Sequence, residues 1–105
     1  MIVNLTPHDV IVVDENGNTI KVFPKSETPA RCSVSREVIG KVGGYPLYKS
    51  VFGAVENLPA PKKGTFFVVS RLVAEATKRD DLLIPDNTVR NNEGRIIGCR
   101  GFSRL

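Results

Sequence analysis

The sequence predicts a mainly β, α+β domain: a small antiparallel barrel or sandwich carrying one short helix that starts near Ser70. Three observations carry this expectation. Asn16-Gly17 lies between two β-branched runs, the strongest short signal for a hairpin, because the turn needs residues that tolerate positive φ. Apolar runs of strand length recur at close spacing and are punctuated by Gly, Pro and Asn. One stretch, following Ser70, has helical spacing.

Taken in chain order, Thr6-Pro7-His8-Asp9 reads as a turn, since Pro presets φ while Thr and Asp bond nearby backbone. Val10–Asp14 and Thr19–Phe23 flank Glu15-Asn16-Gly17-Asn18 as the first hairpin. Pro24-Lys25-Ser26-Glu27-Thr28-Pro29 is a loop. Ala30–Val34 and Glu37–Val42 read as two short strands, and Gly43-Gly44 as a tight turn into Tyr45–Val51. Gly53 and Leu58-Pro59-Ala60-Pro61 mark an irregular connection, because Pro lacks the donor that a central strand needs. Lys62-Lys63-Gly64 turns into Thr65–Val69, an unbroken apolar run expected at the centre of the sheet. Ser70 then caps a helix in which Leu72, Val73 and Ala76 face inward, ending at Arg79-Asp80-Asp81. Leu82–Ile84 precedes Pro85-Asp86-Asn87, and Thr88–Asn91 and Arg95–Cys99 flank a last hairpin at Asn92-Glu93-Gly94.

The 105 residues suit one domain spanning 1–105, long enough to bury a core without metal or disulfide. A hydrophobic share of 41% and a charged share of 25% place the chain among ordinary globular proteins and away from disordered ones. The longest apolar stretches, Val10–Val13 and Phe66–Val69, have strand length, and no run approaches the ~20 residues of a membrane-spanning helix. Met1-Ile2-Val3-Asn4-Leu5 has neither the basic nor the long apolar region of a signal peptide, so a cytoplasmic protein without membrane contact is expected. Cys32 and Cys99 stand in no metal-ligand spacing, and the chain has a single His, so the expectation is two reduced thiols, no metal and no cofactor.

The net charge of +4 is unevenly spread. Residues 1–20 hold Asp9, Asp14 and Glu15 with no Lys or Arg, whereas residues 21–50 hold six bases against Glu27 and Glu37. This balance suits a small anionic partner and is too modest for bulk nucleic-acid binding.

Candidate site residues follow from chemistry. His8 beside Thr6 and Asp9 offers an imidazole that titrates near neutrality, or a turn histidine bonded to its own loop. Ser70, where a strand enters a helix, stands at free backbone N–H groups that favour an anion, or simply caps the helix. Arg31, Arg79 and Arg90 are guanidinium forks suited to phosphate, expected to approach one concave surface unless Asp80, Asp81 and Asp86 neutralise them within the fold. Tyr45 and Tyr48, near turns, are the aromatics best placed to wall a nucleotide pocket, while Phe52, Phe66 and Phe67 read as core.

Several segments together resemble a known group. They are Asn4-Leu5-Thr6-Pro7-His8, Pro24-x-Ser26 with Ala30-Arg31, Leu58-Pro59-x-Pro61, Val69-Ser70 with Ala74, Arg79-x-Asp81, Pro85, Val89-Arg90, and Gly94-x-Ile96-Ile97-Gly98-Cys99. Over nearly the whole chain they resemble a small family of uncharacterised proteins carried by bacteriophages and bacterial genomes. That resemblance transfers no activity. A phage setting implies host-takeover or anti-defence roles, among them sequestration of a nucleotide-derived immune signal in the host cytoplasm.

Three functional readings stand at this stage. The first is non-catalytic binding of a small phosphorylated or nucleotide-like ligand by Thr6, His8, Arg31, Tyr45, Ser70, Arg79, Asp81 and Arg90, in a chain that can form a homo-oligomer. The second is an accessory or structural domain acting through a protein interface. The third is a small hydrolase or lyase using His8 and Asp81.

Overall fold

The computed structural model describes residues 1–105 and is mainly β, with 53% strand and 6% helix. Eight strands and one helix run in the order β1 (Ile2–Asn4), β2 (Val10–Val13), β3 (Thr19–Phe23), β4 (Arg31–Val42), β5 (Tyr45–Glu56), β6 (Phe66–Val68), α1 (Arg71–Ala76), β7 (Leu82–Arg90) and β8 (Ile96–Ser103). Six strands form one sheet in the order β1-β6-β7-β8-β2-β3, curled into a nearly closed, barrel-like layer. Strands β4 and β5 form a separate two-stranded ribbon.

The two hairpins of the sheet share one local design. In the first, Asp14 N–H donates to Asn18 O and Gly17 N–H to Asp14 O, while Asp14 Oδ1 accepts from the N–H groups of Asn16 and Asn18. In the last, Asn91 N–H donates to Arg95 O and Gly94 N–H to Asn91 O, while Asn91 Oδ1 accepts from Glu93 and Arg95. A side-chain oxygen at the first loop position and a glycine three residues on, at φ +83° in Gly17 and +82° in Gly94, make each a short loop closed by a left-handed residue. The N–H donors around Asp14 also hold its carboxyl below the ordinary carboxylate range, with the Asn18 backbone N–H the largest cause.

Antiparallel pairing accounts for most of the ladder, but three strand contacts of the sheet are parallel: β1 with β6, β6 with β7, and β2 with β8. Strand β6, helix α1 and β7 form a compact strand–helix–strand crossover, the connection that a parallel pair requires. Parallel partners lie far apart in sequence, so turn signals do not announce them. Strand β7 continues through Pro85, which the sequence suggests as a break. Within β7, only Leu82 and Leu83 pair with β6, so Pro85 lies where that side of β7 has no neighbour and its missing N–H leaves no ladder bond unmade.

Helix α1 ends five residues before the expected Asp81. Thr77 turns extended, and its N–H caps onto Val73 O. Val73 and Ala74 are the buried residues, packed with Leu5, Ala30, Phe67, Val69, Leu82 and Ile84 in the larger core cluster. A smaller cluster of Val10, Val68 and Cys99 fills the other side of β6. Gly98 lets β8 lie close on β2: a Cβ there would stand 2.9 Å from Val13 Cγ1 and 3.1 Å from the Ile11 carbonyl.

The ribbon is a larger departure from expectation. Ala30–Val34 and Glu37–Val42 are one continuous strand of 12 residues, facing a second of 12 residues across a Gly43-Gly44 turn at φ +59° and +86°. No Pro or Gly lies between Val34 and Glu37, so nothing ends the strand there. Gly53 falls at a bulge, between the pairs Cys32–Val55 and Val34–Phe52, and does not end the second strand. At roughly 3.3 Å per residue the ribbon extends about 40 Å. The molecule is accordingly elongated: its radius of gyration is 16.5 Å, where a compact chain of this length has about 13 Å.

Candidate functional site

The site begins at the Asn-Leu-Thr-Pro-His segment leaving β1. Asn4 is buried, and its amide donates to the carbonyls of His8 and Phe23, each at 2.9 Å. Its Oδ1 accepts from Thr6 N–H at 2.9 Å and from the Thr6 hydroxyl at 2.7 Å. A buried primary amide with all four bonds made is a structural hub, since any lost partner would strand a polar group away from water. It fastens the end of β1 to the end of β3 and sets the loop so that His8 stands at the surface. Thr6 is consumed in the same network and is buried.

This loop forms one wall of a groove of about 720 Å³. Strand β2 contributes Val10 and Ile11, the β6–α1 junction contributes Val69, Ser70 and Arg71, and β7 and β8 contribute Ile84, Pro85, Thr88 and Ile96–Cys99. The size falls in the range of small-molecule sites, and the make-up is that of such sites: apolar residues with a few polar groups among them. Those groups are Thr6, His8, Asp9, Ser70, Arg71 and Thr88. No Phe, Tyr or Trp lines it, so a planar ring would rest against Ile, Val and Pro.

Of the residues expected at a site, Thr6, His8 and Ser70 are brought together here. Ser70 serves mainly as a cap, its Oγ accepting from Val73 N–H at 3.3 Å. With only six residues, α1 offers little dipole to an anion. The other expected residues lie elsewhere. Arg79 forms a two-point pair with Asp81, at 2.9 Å from Nε and 2.6 Å from Nη2, and donates through Nη1 to the Pro59 carbonyl at 2.9 Å. Both side chains are largely buried, and the guanidinium holds the Asp81 carboxyl below the ordinary range. The arginine is therefore neutralised within the fold, and Asp81 does not join His8. Arg90 donates to the Gly94 carbonyl at 2.7 Å and braces its own hairpin. Arg31 meets Glu56 at 3.4 Å at the base of the ribbon, both ends exposed, beside a separate small hollow. Tyr45 sits at the ribbon tip, 75% exposed, far from any pocket wall. The expected convergence of Arg31, Arg79 and Arg90 on one concave surface is thus absent, because carboxylates and carbonyls next to each arginine already satisfy it.

Sequence reasoning missed Asn4 as the hub and Arg71 and Thr88 as groove residues. Arg71 is exposed and reaches Glu75 at 3.0 Å, one helical turn on, so its charge is only partly engaged at the groove mouth. The signal for Asn4 was available: a lone Asn at the end of an apolar strand, two residues before Thr. The signal for Thr88 was not, since only the β7–β8 register brings it to the groove.

Cys99 lies at the groove floor, buried, and burial pushes its thiol above the ordinary range, which keeps it protonated and unreactive. Cys32 is a free thiol at the ribbon base, donating to the Gly53 carbonyl at 3.2 Å. No helix is long and apolar enough to cross a membrane. No protein-family model, curated protein or solved structure matches the chain.

Proposed function

We propose that the protein binds a small nucleotide-like ligand in the β2–β7–β8 groove and holds it without chemical change. One observation carries this reading: a groove of about 720 Å³ joins an apolar lining, with Ile11, Ile84, Pro85 and Ile97, to the polar side chains of His8, Ser70 and Arg71. A ligand with a flat apolar body and an anionic end matches that division. The body would lie against Ile11, Ile84, Pro85 and Ile97, and the anion would meet the Arg71 guanidinium and the His8 imidazole. The absence of converging arginines sets the affinity to rest on apolar contact first and charge second, which favours a ligand with one or two phosphates over a polyphosphate. Sequestration of a nucleotide signal, the role implied by the phage-family resemblance, requires no more than such a site.

Native mass spectrometry of the protein purified from its own host tests this directly, followed by calorimetric titration with nucleoside monophosphates and cyclic dinucleotides at two salt concentrations. The expected result is a retained or titratable nucleotide whose binding weakens about tenfold or more with Ile97→Glu, and severalfold with Arg71→Ala, the Arg71 effect shrinking in high salt. No retained mass and no heat from any nucleotide would overturn the reading. So would binding that Ile97→Glu leaves unchanged.

A further inference from the structure

The ribbon carries a second, independent observation. Residues 31–56 hold most of the large apolar side chains that the protein leaves in water: Val34, Val38, Ile39, Val42, Tyr45, Leu47, Tyr48, Val51 and Phe52. Cross-strand register sorts them onto two faces. Val34 pairs with Phe52 and Val38 with Tyr48, on the face that Cys32 and Val55 continue down to the core; Arg36 stacks on Tyr48 there at 5.0 Å. Ser35 with Val51 and Glu37 with Lys49 form the other face, joined beyond the Ile39 bulge by Leu47 and by Val42 with Tyr45. A ribbon exposed on both faces, with two open edges, is not stable by itself in water.

The surface area says how much is missing. The chain exposes 7541 Å², where a compact monomer of 11.5 kDa exposes about 5,800 Å². The surplus is about 1,700 Å² per chain. A reciprocal contact removing it from two chains would bury about 3,400 Å² in total, within the range of obligate homodimers. Charge points to the same occupant. The outer ribbon carries Arg36, Lys41 and Lys49 against Glu37, whereas the first twenty residues carry Asp9, Asp14 and Glu15 without a base. One copy thus offers both signs needed for reciprocal, two-fold contact.

We infer that the β4–β5 ribbon is an assembly arm, laid across the body of a second copy of this chain, with Val38, Tyr48 and Phe52 as its apolar anchors. The arm supplies the cover that its own body cannot. This does not depend on the groove being a ligand site, and its test reads mass, not ligand.

Light scattering and native mass spectrometry of the wild-type protein should give a multiple of the 11.5 kDa chain. Val38→Glu with Tyr48→Glu should give the single-chain mass with the body still unfolding in one cooperative thermal transition, since both positions lie on the arm, outside the core clusters. A wild-type protein that stays a single chain through the micromolar range overturns the inference, including the case where a different protein is found on the arm. A double variant that keeps the wild-type mass also overturns it. If the glutamates prevent folding, Val38→Thr with Tyr48→Thr keeps strand propensity and answers the same question: a mass at least halved supports the arm, and an unchanged mass overturns it.

Discussion

The body and the arm use the same apolar residue types in the same alternating strands, yet one hides them and the other displays them. Val68, Val69 and Val73 in the body are fully buried, whereas Val38 and Val42 in the arm are more than half exposed. The strands of the body curve, and helix α1 closes over them, so each inward face meets another face. The arm has a partner on one edge only and nothing stacked on either face beyond its base. Alternation therefore marks which residues seek burial, but the connectivity of the chain decides whether the same molecule can provide it. The difference also separates two kinds of cost: body substitutions should act on folding, and arm substitutions on association.

The sharpest break of that comparison lies at Asn4. Asn4→Ala leaves the buried Thr6 hydroxyl, the Thr6 N–H and two carbonyls short of partners, and should cost about 3–5 kcal/mol in urea unfolding. Tyr45→Ala at the arm tip should cost under about 0.5 kcal/mol in a protein held as a single chain. Equal losses at the two positions would dissolve the distinction.

Next comes the ion pair that the sequence placed at a ligand site. Arg79→Ala should lower stability by about 1–3 kcal/mol at neutral pH and leave nucleotide titrations unchanged. The sign of the pH effect follows from Asp81, whose carboxyl is held below its ordinary value of 3.8 in the folded state. Its contribution is fully present above that value and is lost as pH falls through the depressed one. Thermal unfolding of the wild type should therefore steepen in its acid dependence below about pH 4, and Arg79→Ala should flatten that limb. An identical limb in both proteins would remove the pair from the account.

Cys99→Ser, at the groove floor among Val10 and Val68, should cost about 1–3 kcal/mol, because a hydroxyl there needs a stronger bond than a thiol does. Cys32→Ser, half-buried at the arm base, should cost less than Cys99→Ser. Neither change, nor a reductant, should shift the migration of the protein on a non-reducing gel.

The smallest effects compare the hairpins. Gly17→Ala and Gly94→Ala each force a Cβ into the left-handed region and should cost about 1 kcal/mol apiece. Gly101→Ala meets no atom within 4 Å and has no positive φ, so it should cost nothing and stabilise by up to about 1 kcal/mol. A loss at Gly101 as large as at Gly17 would show that local backbone conformation is not the cause.

What the sequence determined by itself was local. Asn16-Gly17 and Asn92-Glu93-Gly94 marked their loops because a left-handed glycine closes a short turn from within, and the structure adds the side-chain acceptors Asp14 and Asn91 just before them. Ser70 specified a helix start because its hydroxyl caps the first turn, and the mainly β character followed from the spacing of such signals. Everything that required distant segments was decided by tertiary structure. The parallel contacts of β1, β6 and β7 depend on a crossover whose ends share no sequence signal. The groove depends on β2 and β8 lying side by side, with Gly98 against Val13, which brings His8, Thr88 and Ile97 together from three segments. The arginines show the limit most plainly. Their number and charge are legible in the chain, but whether a guanidinium faces a ligand or a neighbouring carboxylate turns on a few ångströms, and at Arg79 the carboxylate two residues away was nearer.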